Sequence, residues 1–238
     1  MLSRIVLQLD GKIDFRQSSL LQGVLMEKIS PAYADFLHQM QRHPYSQYVT
    51  PDSKWVIQTL NTEAYEEIVP HFTQGDEFIL KHNGQKLKIM DIKTENIPKK
   101  KLIEDFYTLR AKNKFKVEFL TPTAFKQQKQ YVILPDIRLL AQSLMAKYSV
   151  SSEQTDGADM DTLNELIANT FITKHSLRSF VFPAEGQNIP GFMGKVTFYC
   201  KGTDTMSRYW RMLLKFGEFS GVGIKTSMGM GGFRMIEN

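Results

Sequence analysis

The chain has 238 residues, 42% hydrophobic and 11% aromatic, enough apolar material for one large globular domain or two small ones, which excludes a disordered chain. Thirty Lys and Arg against twenty-five Asp and Glu give a net charge of +5, and Cys200 is the only cysteine, which excludes an intrachain disulfide or a cysteine zinc cluster and suits a reducing cytoplasm. The N-terminus turns polar after a few apolar residues and no apolar run reaches ~18 residues, so neither export nor membrane insertion is expected.

Ile5, Leu7 and Leu9 alternate with other residues and predict a first strand. Leu20, Leu21, Val24, Leu25 and Ile29 recur at helical spacing, and Ser30-Pro31 restarts a second helix with a cap and a proline at its first position. Residues 55–60 read as a strand, 62–72 as a helix, and 77–80 with 87–93 as a hairpin across Asn83-Gly84. The order is βαββ with an extra helix. After a basic stretch over 99–116 the pattern begins again. Phe115, Val117 and Phe119 alternate, 131–134 reads as a strand, and 136–148 as a helix. A mobile loop is expected over 149–161 before a short helical turn, then strands over 180–182 and 194–200, a helix over 204–216 and a last strand over 232–236. Each half approaches the split βαβ pattern, so the expected fold is α+β: tandem ferredoxin-like (RRM-like) βαββαβ domains over 1–112 and 113–238, with a C-terminal glycine-rich loop. The Arg/Lys-Gly-Phe-Gly-Phe stacking motif of RNA-binding sheets does not occur, so RNA contacts are expected from loops, helices and basic segments.

Residues 216–233 form a glycine-rich, lysine-bearing segment close to the C-terminus. A Walker loop needs glycine directly before Lys-Ser/Thr and a helix after it; here Ile224 separates Gly223 from Lys225, and too few residues follow for a helix. What remains is a loop whose backbone could approach a polyanion closely, and a nucleic-acid backbone is the natural ligand. The competing reading is that the glycines let the loop pack against the other lobe. Charge is also uneven: residues 99–138 carry ten basic and four acidic side chains and 195–238 seven and three, while the remaining segments carry more acids than bases. That excess is the footprint of a phosphate-binding face. The expected RNA contacts are therefore Arg42, Lys126, Lys129, Arg208, Arg211, and in the loop Gly221, Gly223, Lys225, Thr226, Ser227, Gly229 and Gly231.

On the second helix Tyr33, Phe36, Leu37 and Met40 stand at i, i+3, i+4 and i+7 and make its expected buried stripe, which leaves His38 accessible. Arg42, His43 and Tyr45 follow at once. Two imidazoles, a phenol and a guanidinium so close together suit metal-free RNA cleavage, in which a base takes the ribose 2′-OH proton and an acid protonates the leaving 5′-oxygen. His38 is the first catalytic candidate, with His43 and Tyr45 behind it. Of the remaining histidines, His71, His82 and His175, none has a second ligand at i+3 or i+4, and no acidic cluster resembles a two-metal nuclease site, so neither metal nor cofactor is expected.

The segment Gly221-x-Gly-x-Lys-Thr-Ser-x-Gly-x-Gly, Leu37-His38 after Leu21-Gln-Gly23, and Thr121-Pro-Thr-Ala-Phe125 together resemble the CRISPR-associated repeat-cleaving endoribonuclease, the sixth Cas family, across essentially the whole chain. The details look most like type III-A members of Gram-positive cocci. The resemblance implies two ferredoxin-like domains and metal-free cleavage of precursor CRISPR RNA within its repeats, giving 5′-hydroxyl and 2′,3′-cyclic phosphate ends. It places the family's early histidine at His38 and implies repeat RNA as partner, with transient association with a type III-A effector complex and a homodimer as further expectations. Some members back the histidine with a tyrosine and a lysine, where this chain has Met26 and Pro44; His43, Arg42 or Lys225 are the substitutes chemistry offers. The alternative is a non-catalytic repeat-RNA-binding subunit of an effector complex.

Overall fold

In the computed structural model the described residues are all but 74–76, 83, 152–158, 185 and 237–238, with the backbone alone of Val150. Asn83 of the expected Asn83-Gly84 turn, and most of the loop expected over 149–161, thus lie outside the described residues.

The N-terminal alternation folds as strand β1 (Leu2–Leu9), burying Ile5, Leu7 and Leu9. It lies at the centre of an antiparallel sheet between β3 (Lys54–Thr59) and β5 (Gln85–Ile97). Strand β2 (Tyr45–Val49) extends the sheet beyond β3, and β4 (Glu77–Leu80) beyond β5. Helices α1 (Ser18–Lys28) and α2 (Pro31–Gln39) follow β1; Ser30 Oγ accepts from Tyr33 N, so the cap and the Pro31 start are as the sequence predicts. The helix expected over 62–72 is divided into α3 (Thr62–Ile68) and α4 (Pro70–Thr73), because Pro70 cannot donate into the preceding turn. Trp55 centres this core, with Phe72 and Phe78 edge-on at 5.1 and 5.5 Å.

Between the sheets runs α5 (Lys99–Thr108), inside what the sequence presents only as a basic stretch. It buries Leu102 against Leu2, Leu60 and Phe216, and one fully buried residue leaves too thin an apolar period to be seen among the lysines.

The second sheet comprises β6 (Lys114–Thr123), β9 (Thr170–Ala184), β10 (Gln187–Cys200) and β11 (Phe233–Met235), in the order β11-β6-β10-β9. Taken along the chain, that is fourth-first-third-second, which β5-β1-β3-β2 repeats in the first sheet. One ferredoxin-like topology therefore occurs twice. A small hairpin, β7 (Phe125–Gln127) with β8 (Gln130–Val132), leaves the end of β6. Helices α6 (Ile137–Ser151), α7 (Met160–Ala168) and α8 (Asp204–Ser220) complete the lobe, with Phe115, Val117, Phe119, Leu144, Trp210, Leu213 and Leu214 buried in one core. Strands β9 and β10 far exceed the predicted pieces, because the exposed polar run over 173–176 and the glycines of β10 conceal the alternation.

Helix α8 touches both lobes. Its last carbonyls, which a helix cannot satisfy internally, take partners from each. Glu218 O accepts from Arg4 and Gln58, Phe219 O from Ser46, and Ser220 O from Lys147, which also donates to Gly221 O just past the helix. Arg4 and Lys147 bring positive charge to the negative end of the helix dipole. Gly217 lets the helix approach, since a Cβ there would lie 2.5 Å from Phe233 Cζ.

Candidate active site

The glycine loop leaves α8 at Gly221, in the left-handed region at φ 62°, and returns to pair β11 with β6. On the way it crosses to the first lobe. Gln47 N donates to Thr226 O at 3.1 Å; a Cβ at Gly229 would lie 2.2 Å from Ser18 Cβ, and one at Gly232 2.8 Å from the Tyr48 ring. All five residues of β2 are buried, which is why the strand escapes a search for alternation: the loop covers the face that would otherwise be open.

The loop's amides are largely spent on protein. Those of Gly221, Val222, Ile224, Met228, Met230 and Gly231 donate to backbone carbonyls, Gly223 N to Ser143 Oγ and Gly232 N to Thr121 Oγ1. Thr226 Oγ1 accepts from Lys147 at 2.8 Å, and Ser227 is buried with its hydroxyl bonded to Tyr45. This revises the phosphate-cradle expectation for Gly221, Gly223, Gly229, Gly231, Thr226 and Ser227. Their closeness and hydroxyls serve protein contacts, in line with the packing alternative. Lys225 is exposed at the tip with φ 53°, a left-handed conformation costly for a residue with a side chain.

Opposite the loop is the end of α2. Tyr33 and Leu37 are buried, but Phe36 is 42% exposed and stacks on Tyr33 at 5.7 Å, so the predicted stripe is narrower than its spacing suggests. His38 is exposed in the last turn of α2. His43 is half-buried, with Nε2 2.9 Å from Leu37 O. A carbonyl can only accept, so Nε2 carries the proton, and in the neutral ring Nδ1 is bare. Burial lowers the His43 pKa, the Leu37 bond opposes this in part, and the charges of His38 and Lys225 lower it further. The N-terminal imidazoles and the C-terminal lysine thus share one electrostatic neighbourhood.

Tyr45 stacks flat against His43, at 5.5 Å and 4°. It is only 1% exposed; its hydroxyl accepts from Gln22 at 3.5 Å and lies 3.9 Å from Met26 Sδ, and burial pushes its pKa up to about 12. This corrects the expectation that Tyr45 transfers protons: buried and hard to ionise, it supports the His43 ring. Met26 stands where the resemblance puts a tyrosine, so a phenol reaches the same neighbourhood from β2.

Arg42 is exposed beside these groups. Lys126 and Lys129 project from the β7–β8 hairpin, Lys126 5.8 Å above the Tyr131 ring and Lys129 at φ 67° in the turn. The hairpin is anchored at the loop, since Ile224 N donates to Ala124 O. Arg208 and Arg211 lie elsewhere. Arg208 donates to Tyr107 O on α5, roughly 18 Å along α8 from the glycine loop, so it is not brought together with Lys225.

Lys147 is the residue that sequence reasoning misses. It extends from α6 under the loop to Ser220 O, Gly221 O and Thr226 Oγ1, and burial followed by repulsion from Arg42 takes its ammonium down to about 7. The signal is present in the sequence, because Leu140, Leu144 and Lys147 fall at i, i+4 and i+7 and put a charge on the buried stripe. Among the described residues no group of three or more His, Cys, Asp or Glu side chains could hold a metal ion.

Residues 117–233 match the model of the CRISPR-associated endoribonuclease Cas6 family. The chain is 38% identical over 218 residues to a Cas6 of Streptococcus thermophilus, covering 90% of this chain and 89% of that one. It is 38% identical over 248 residues to a Cas6 of Mycobacterium tuberculosis, covering 98% of this chain and 78% of the relative. A solved Cas6 product complex superposes with a TM-score of 0.81 at 21% identity, over 99% of this chain and 100% of that one. Two ferredoxin-like lobes, the glycine loop between them and this level of identity agree: the chain belongs to the CRISPR-associated endoribonuclease Cas6 family.

Proposed function

We propose that this protein cleaves precursor CRISPR RNA within its repeats by proton transfer, leaving a 5′-hydroxyl and a 2′,3′-cyclic phosphate. The observation that carries the reading is the exposed imidazole of His38, with His43 and Lys225 in the same electrostatic neighbourhood. His38 exchanges the proton of the ribose 2′-OH or of the leaving 5′-oxygen, and the 2′-oxygen attacks phosphorus. His43, neutral near pH 7, ties the end of α2 to β2 through Leu37 O and offers a bare Nδ1 to the reacting groups. Lys225 faces the charge that develops on the phosphoryl oxygens. Lobes divided at 112/113 would bring the histidines from one domain and the lysine from the other. Repeat RNA bound by Arg42, Lys126, Lys129 and Lys225 would cross that boundary. No helix of the described residues is long and apolar enough to cross a membrane. We place the activity in the cytoplasm, with transfer of product to a type III-A effector complex.

The test is single-turnover cleavage of repeat RNA in EDTA, beside a substrate with 2′-deoxyribose at the scissile position. Cleavage in EDTA that the 2′-deoxy substitution abolishes is the expected result. A need for divalent metal, or cleavage of the deoxy substrate, overturns the mechanism. Binding without cleavage over a wide pH range and several repeats assigns the chain to the non-catalytic alternative.

A further inference from the structure

The left-handed backbone of Lys225 is held on both sides. Ile224 N before it donates to Ala124 O at 3.0 Å, its own carbonyl accepts from Met228 N at 3.0 Å and Met230 N at 3.2 Å, and Thr226 O after it accepts from Gln47 N at 3.1 Å. Glycine would adopt φ 53° without strain, in a segment already rich in glycine, so the fold alone gives no reason for a lysine here. Strain of this kind persists where the surroundings over-determine it, and it points to a side chain whose direction matters.

Two residues of α6, one turn apart on one face, reach the loop from beneath. Ser143 Oγ accepts from Gly223 N at 2.9 Å, and Lys147 Nζ donates to Thr226 Oγ1 at 2.8 Å. Thr226 is thereby held by both lobes, its hydroxyl by Lys147 and its carbonyl by β2. Its methyl faces Gly221, where a Cβ would lie 2.9 Å from Thr226 Cγ2. The other two bonds of the Lys147 ammonium go to Ser220 O and Gly221 O, where α8 ends. Those two cap a helix and support the lobe whatever the loop does. The bond to Thr226 acts instead on the residue next to the strained lysine, so it is the one that can set where the Lys225 side chain points.

We propose that Lys147 is a positioning residue for the cleavage step: through the hydroxyl of Thr226 it holds Lys225 in the left-handed conformation that directs its ammonium toward His43 and the scissile phosphate. The inference rests on the RNA-cleaving reading, and one of its readouts is independent of cleavage. Thr226→Val keeps the branched shape, two of the three Lys147 bonds and every charge, and removes only the acceptor. Thr226→Ser keeps the acceptor, and Lys147→Met removes the donor. The measurements are the single-turnover rate at saturating repeat RNA, the salt dependence of RNA binding, and the NMR titration of the His43 ring, which the Lys225 charge depresses in the wild type. Thr226→Val should cut roughly tenfold more slowly, because a displaced group loses its catalytic effect while still near the substrate. Its log–log salt slope should stay at the wild-type value, since no charge is lost. Its His43 titration should move toward that of Lys225→Ala, and in a Lys225→Ala background Thr226→Val should slow cleavage no further. Lys147→Met should reproduce the slower rate, and Thr226→Ser should match wild type in rate and titration.

A wild-type rate and titration in Thr226→Val overturns the proposal, as does a Thr226→Val defect that persists at full size without the Lys225 side chain; either leaves Lys147 as a cap on α8. Thr226→Ser as slow as Thr226→Val also overturns it, since the hydroxyl would then not be the cause. Thr226→Val decides the matter even where Lys147→Met is too unstable to assay. If wild-type protein binds repeat RNA but cuts none, the cleavage reading falls, while the His43 titration of Thr226→Val against that of Lys225→Ala still decides whether Lys147 and Thr226 set the place of the lysine.

Discussion

Replacing Lys147 with methionine keeps the aliphatic stem and removes the head group that holds the glycine loop. Its ammonium donates to Ser220 O at 3.1 Å, Gly221 O at 3.3 Å and Thr226 Oγ1 at 2.8 Å. At ~1 kcal/mol net per bond the loss is about 3 kcal/mol, and relief from burying a cation returns part of it. A net destabilisation of about 2 kcal/mol should lower Tm by roughly 4–8 °C for a chain of this size. The pH dependence is the sharper readout. With the folded pKa near 7 against an ordinary 10.5, the unfolded chain binds more protons between those values, so wild-type stability gains from Lys147 as pH rises through that window. Lys147→Met lacks that gain, and its deficit should be larger at pH 9 than at pH 6. Thermal or urea unfolding at both pH values measures this. A deficit no larger at pH 9 than at pH 6 would mean that the ammonium stays charged in the folded chain, and would refute the reasoning.

His38→Ala should slow single-turnover cleavage by about 10²-fold or more with little change in RNA affinity, and a near wild-type rate would move the proton transfer to His43. The His43 ring, followed by NMR, should titrate below 6.5, and Lys225→Ala should bring it closer to that value, because the Lys225 charge contributes to the depression; an unmoved titration separates the two groups. Lys225→Ala should also weaken RNA binding across sequences and shallow the log–log salt slope by about one unit, and an unchanged slope would remove the loop lysine from the interface. Gly231→Ala puts a Cβ 1.9 Å from Val222 O at φ 70°, so a loss on the order of 3 kcal/mol is expected in denaturant unfolding, and a variant as stable as wild type would show that the loop can shift freely.

Much of the scaffold is legible in the sequence, because local patterns carry it. The alternation of β1, the Ser30-Pro31 start of α2 and the inward period of β6 each follow from neighbours a few residues apart. What escapes depends on distant partners. β2 has no alternation because the glycine loop covers its second face, and α5 shows little apolar period because it buries one residue, Leu102, against Leu2, Leu60 and Phe216. The same distinction runs through the site. The exposure of His38 follows from its position on α2, whereas the inward turn of Tyr45 and Ser227 depends on a contact between residues about 180 apart in the chain, and that of Thr226 on Lys147, 79 residues away. The spacing of the glycines marks a tight backbone but leaves open whether ligand or protein approaches it, and the loop's amide partners answer in favour of protein.

That answer changes what the loop does for chemistry. A cradle for phosphates would act on RNA directly and independently of the first lobe. A loop seated on Ser18, Gln47 and Tyr48 instead fixes the distance between Lys225 and His43, so substitutions on either side of the boundary should not act independently. A double-mutant cycle between Gln47→Ala and Lys225→Ala measures the coupling. Gln47 also bridges Ser18 O and Trp55 Nε1 at 2.8 Å each, so its loss should disturb the seat of the loop without touching RNA. If Lys225 acts only from its seated position, the cleavage defects of the two variants will be less than additive, since once the seat is loosened the lysine has less to contribute. Strict additivity would mean that Lys225 reaches the RNA from a loop that needs no anchoring.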